Sequence, residues 1–212
     1  LAPAFVPSRR PVPPVIWILV FASTLPEAIL SGADLGLWGG PEWRLTAYQY
    51  GAFWAGLIHG WQVLYTGQPI VMFATYGFLH GGLSHLALNM ATLIAFGAVL
   101  APRFGTARFL ILYALSQVGG GLAFGLMALD GEPMVGASGA IFGLAGAFLA
   151  LTAQQLHRRG RSVAPVLQSA GALIVLNAVL WWAMAGGLAW QAHLGGFIVG
   201  ALYAALVPSR RA

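Results

Sequence analysis

Residues Met134 to Phe148 read MVGASGAIFGLAGAF. The stretch is apolar enough to lie in lipid, yet Ser138 stands near its head among glycine and alanine. A hydroxyl at such a place needs a partner, and its meaning depends on where the chain puts its other polar groups. Those are few: of 212 residues, 59% are hydrophobic and 7% are charged. Soluble chains are about a quarter charged, so this composition describes an all-α polytopic membrane protein. Cysteine is absent, which removes disulfides, thiolate metal sites and cysteine nucleophiles.

Six stretches approach the roughly 20 apolar residues that a helix needs to cross the hydrocarbon. They are Val15–Ser31, Phe73–Leu100, Thr106–Leu129, Ser138–Gln155, Ala164–Ala185 and Leu188–Val207. The sequence opens at Leu1, as if the initiator end were removed or not included, and Arg9 and Arg10 precede the first span. No convincing cleavage site follows that span, so it is read as a retained helix.

Charge placement tests the parse. If the six spans alternate, Arg9, Arg10, Arg103, Arg108, Arg158, Arg159, Arg161, Arg210 and Arg211 share one face. Asp34, Glu42, Asp130, Glu132 and the lone base Arg44 lie on the other. The positive-inside rule then puts both termini in the cytoplasm. Clusters of this kind orient helices in a bilayer, so the net charge of +5 implies no nucleic-acid partner. The whole chain, 1–212, reads as one membrane domain. Its segment from about 34 to 70, rich in Trp and Tyr, is expected to lie in the outer interface rather than to cross.

Polar side chains at depth are costly and therefore functional candidates. His85 and Asn89 fall in the second span, Ser138 heads the fourth and His193 lies in the sixth. Counted at 1.5 Å per residue from the nearest cytoplasmic arginine, Ser138, His85, His193 and Asn89 stand about 30, 27, 25 and 21 Å up. Three helices thus bring polar groups to one level in the outer half of the bilayer. His85 and Asn89, four apart, share a helix face. Gly136, Gly139, Gly143 and Gly146 in one helix, and Ala192, Gly196 and Gly200 in another, permit close backbone approach. Ser138 and His193 come within hydrogen-bond reach if those helices pack together.

A serine hydroxyl is a weak nucleophile until a base takes its proton, and histidine is the usual base. His85 and Asn89, with the backbone N–H of Ser138, could stabilise an oxyanion. Glu27 lies in the first span, while Asp130 and Glu132 lie in a loop, so none stands at the depth needed to orient His193. A Ser–His dyad is expected rather than a triad. Each residue also has a plainer role: a serine at a helix start is usually an N-cap, and glycine stripes are mostly packing. His59, His80 and His157 read as loop or interface residues, with His80 supporting the turn into the second span. GASGA lacks the last glycine of the G-x-S-x-G elbow and follows no strand. The histidines do not form H-E-x-x-H, which disfavours a zinc protease.

HGGLSHLALN (80–89), GASGAIFG (136–143) and AHLGGFIVG (192–200), in this order and on these helices, resemble the rhomboid family of intramembrane serine proteases. The resemblance implies a six-helix bundle with Ser138 as nucleophile and His193 as general base. It makes His85 and Asn89 side-chain oxyanion donors, joined by the N–H groups of Ser138 and Ala137. Phe142 would support the histidine ring, and Trp181 and Trp182 would belong to a lateral gate. It further implies single-pass membrane proteins as substrates, with no metal or organic cofactor. The Trp–Arg pair that many rhomboids carry close to the second span stands far earlier here, at Trp43–Arg44. All-arginine basic usage with abundant Ala and Gly hints at a bacterial source, hence an inner membrane. The rivals are a catalytically inactive relative that binds membrane clients and, more remotely, a small transporter.

Overall fold

The computed structural model describes residues 11–128 and 131–209. Among these are eight α-helices: α1 Pro14–Asp34, α2 Glu42–Gly51, α3 Gln68–Thr75, α4 Leu83–Phe104, α5 Thr106–Met127, α6 Ser138–Arg158, α7 Ala164–Ala183 and α8 Trp190–Leu206. Five of them, α1, α4, α5, α6 and α7, are long and apolar enough to cross a membrane. The sixth long helix, α8, has 17 residues. Arg9, Arg10, Leu129, Asp130, Arg210 and Arg211 lie outside the described residues.

One sequence expectation is corrected. The second span is not continuous from Phe73: α3 ends at Thr75, a 3₁₀ turn covers Tyr76–Phe78, and α4 begins at Leu83. Gly81 and Gly82 cause the break, since Gly82 adopts φ +104°, a conformation L side chains rarely take. His85 therefore sits in the first turn of α4 instead of mid-span. The segment from 34 to 70, whose internal structure the sequence leaves open, contains α2, a 3₁₀ turn at Ala55–His59 and the start of α3.

The bundle is tightest where α5, α6 and α8 meet. Small residues make this possible: a Cβ on Gly196 would strike the Gly139 carbonyl, and one on Gly200 that of Gly143. On the α5 side, a Cβ at Gly120 would lie 2.9 Å from the Ala192 carbonyl and 3.2 Å from the Cα of Gly139. Lipid tails are as apolar as leucine, so such contact, rather than expulsion of water, is what favours helix association within a bilayer. A second apolar group, α1 with α4, α5 and α6, centres on Ile16, Leu93, Leu100, Phe109, Leu112 and Leu144. Outward, Trp17, Ile18, Phe21, Leu88, Ile111, Ile174, Val175 and Leu202 are exposed, as lipid-facing side chains should be.

Candidate active site

Ser138 is the first residue of α6, and Ala137 is its N-cap, with no side-chain cap bond. The hydroxyl is thus not used as a cap. Instead Ser138 Oγ lies 2.9 Å from His193 Nε2. His193, on the buried face of α8 with Ala192, Gly196, Gly200 and Ala204, reaches Ser138 because the glycines let the two backbones touch. Its ring stacks on Phe142, with centroids 4.0 Å apart and planes 5° from parallel. Ser138 and Phe142 are one turn apart on α6, so a single helix face holds both the hydroxyl and the ring's support.

Residues 134–137 are held from outside the helix. Met134 and Phe53 exchange both backbone bonds at 2.9 Å, forming one isolated antiparallel bridge. Gly136 N–H donates to the Tyr76 carbonyl at 2.9 Å, and Tyr76 O–H donates to the Gln117 carbonyl at 2.6 Å. Gly136 has φ +120°, and a Cβ there would lie 2.8 Å from His85 Cε1 and 2.9 Å from Nε2. Only glycine lets the His85 ring lie against the turn into Ser138.

His85 Nδ1 accepts from the Gly81 N–H at 3.2 Å. In the neutral ring that leaves Nε2, the atom facing Gly136, as the donor. Asn89 Nδ2 donates to the His85 carbonyl at 2.9 Å, one turn back on the same face. At the head of α6 the first-turn N–H groups have no intrahelical acceptor. The corner between Ser138 and His85 therefore presents backbone and imidazole N–H groups, suited to a developing negative charge.

Arg44 resolves the displaced Trp–Arg pair. Its guanidinium donates to Glu27 Oε1 at 2.8 Å and Oε2 at 3.0 Å, to Asp34 Oδ2 at 2.7 Å and to the His80 carbonyl at 2.9 Å. Bonding to Glu27 foremost, then to Asp34, raises its pKa against the cost of burial. Tyr48 O–H donates to the same His80 carbonyl at 2.8 Å. Far from α4 in sequence, Arg44 nonetheless anchors the turn that leads into it. His80 is fully buried there, and burial, followed by the nearby His85, pushes its pKa down to about 4. His59, by contrast, bonds the Gly125 carbonyl at 2.8 Å, away from Ser138's partners.

One polar partner was missed in the sequence. Asn177 Oδ1, from α7, lies 2.5 Å from His193 Nδ1. It stands 16 residues after Arg161, about 24 Å up by helical rise, the level of the other polar groups. Applying the same depth count to the fifth span would have found it. Trp181 and Trp182 follow on α7 and are exposed, 46% and 80%.

Comparison with known proteins agrees in where it matches. A family model described as Rhomboid domain matches residues 67–210. Rhomboid protein 1, mitochondrial, of Saccharomyces cerevisiae is 34% identical over 91% of this chain and 56% of its own length. Rhomboid protease GluP of Bacillus subtilis is 32% identical over 60% of this chain and 24% of its own length. Inactive RHOMBOID-like protein 8 of Arabidopsis thaliana is 34% identical over 44% of this chain and 26% of its own length. The chain thus spans little more than half of the yeast protein and about a quarter of the other two.

Proposed function

We propose, on the premise that the chain belongs to the rhomboid family, that it is an intramembrane serine endopeptidase acting through Ser138 and His193. It is a multi-pass integral membrane protein, and the family acts on membrane proteins within the bilayer. The observation that carries the proposal is the 2.9 Å contact between Ser138 Oγ and His193 Nε2 at the half-buried junction of α6 and α8.

In this reading His193 Nε2 takes the hydroxyl proton as Ser138 Oγ attacks the scissile carbonyl carbon. The carbonyl oxygen becomes an oxyanion, met by the Ser138 N–H and by the Nε2–H of His85, with Asn89 and the Ala137 N–H alongside. His193 then protonates the departing amine, leaving an acyl group on Ser138. Water, deprotonated by the same imidazole, adds to the acyl carbon, and the imidazolium returns that proton to Ser138 Oγ as the acid departs. The π-stack with Phe142 keeps the ring in plane through both transfers. No step calls on a metal or organic cofactor. The substrates would be single-pass membrane proteins opened near one end of a transmembrane helix. The six long helices would all span, both termini facing the cytoplasm, with the site in the outer half of a bacterial inner membrane.

Covalent labelling of the folded protein by a fluorophosphonate probe tests this without a known substrate. The wild type labels; Ser138→Ala does not, and His193→Ala loses roughly 100-fold or more in rate. A folded wild type that stays unlabelled, also with a smaller probe, favours the second reading: a client-binding protein without catalysis, in keeping with the inactive relative among the matches.

A further inference from the structure

The amide of Asn177 has a determined orientation. Its Nδ2 donates to the Leu173 carbonyl one turn back, at 2.9 Å. The oxygen is therefore the atom turned to His193 Nδ1, at 2.5 Å. An amide oxygen only accepts, so Nδ1 must carry the ring proton. A neutral imidazole has one N–H, and Nε2 is then left with its lone pair toward Ser138 Oγ. In the other tautomer Nε2–H would face the hydroxyl, and the ring could not take its proton. One hydrogen bond on the far side of the ring thus selects between a base and a bystander.

We propose that Asn177 is a positioning residue that holds His193 in the Nδ1–H tautomer, completing a Ser138–His193–Asn177 line across α6, α8 and α7. It rests on the reading of Ser138 and His193 as nucleophile and base. An amide suits the site better than a carboxylate. It orients the ring without placing a second charge at depth, where an ionised side chain is costly. The position of Asn177 adds a consequence. No residue of α7 is buried, so among the five helices long and apolar enough to cross a membrane the orienting group belongs to the one held least by packing. His193 is set as a base only while α7 is docked against α8.

The test uses the full chain in detergent with a fluorophosphonate as probe, comparing wild type with Asn177→Leu, which keeps the size but removes the acceptor, and Asn177→Asp, which keeps the acceptor. At saturating probe the Leu variant should lose roughly 10- to 100-fold in inactivation rate with half-saturation unchanged. The Asp variant should recover much of it; the Leu variant should melt with the wild type, and the Asp variant, with a charge at depth, somewhat lower. Asn177→Ala serves as the removal if the Leu variant melts early. Histidine ¹⁵N spectra, assigned with His193→Ala and recorded in a Ser138→Ala background, read the tautomer directly. Nδ1–H in the parent and a shift to Nε2–H on removal are expected. An unchanged tautomer, or labelling at the wild-type rate without the acceptor, overturns the proposal. Were the wild type itself unlabelled, the protease reading would fall, and the spectra alone would decide the role of Asn177.

Discussion

Helices α7 and α8 are neighbours in sequence and similarly apolar, yet one is at the centre of the molecule and the other at its margin. In α8, Ala192, Gly196, Gly200 and Ala204 recur every fourth residue, and all four are buried with His193. In α7 large side chains cover most of the circumference, Leu167, Ile174, Val175, Leu176, Val179, Trp181 and Trp182 all being exposed; the remaining face, with Val166, Leu173, Asn177 and Leu180, is only half-buried, and no residue is buried. Apolarity admits a helix to the bilayer. A stripe of small residues admits it to the bundle, because packing, not water, is what favours association there.

This contrast can be broken by moving bulk. Gly196→Leu should have the largest effect: its Cβ alone would meet the Gly139 carbonyl, so α8 cannot dock and little folded protein should survive size-exclusion in detergent. Gly200→Ala adds one methyl against the Gly143 carbonyl and should cost about 1–3 kcal/mol, read as a lowered melting temperature with reduced fluorophosphonate labelling. The matched change on α7, Gly171→Ala, meets nothing within 4 Å. It should leave labelling alone and raise stability by at most about 1 kcal/mol through helix propensity. If Gly171→Ala harmed the protein as much as Gly200→Ala, the distinction between the two helices would be lost.

Much of this was legible in the sequence, for identifiable reasons. Five of the expected spans match long helices within a few residues, because apolar length and Gly or Pro breakers are local signals. The depth count brought Ser138, His85, Asn89 and His193 to one level, and the structure puts Ser138 against His193 and His85 against Gly136, two residues before the serine. What escaped was set by neighbours in space. The break before α4 depends on Gly82 and on Arg44 bonding the His80 carbonyl from 36 residues away. No local pattern announces such a contact. Asn177 is different: its depth is readable in the sequence, 16 residues after Arg161. The sequence offers His193 no acid at its depth, which points to a dyad, whereas a neutral amide can orient an imidazole too.

The bridge between Phe53 and Met134 has a consequence for how exchange with solvent should be distributed. Both amide protons are tied to each other's carbonyls, four residues ahead of Ser138, in a part of the chain with no ladder on either side. Neither proton can be released without the other's strand leaving. Their deuterium uptake should therefore be correlated, slow and concerted. It gives a clock for the separation of the segment around Phe53 from the threshold of α6, independent of any side chain and of any chemistry at the serine.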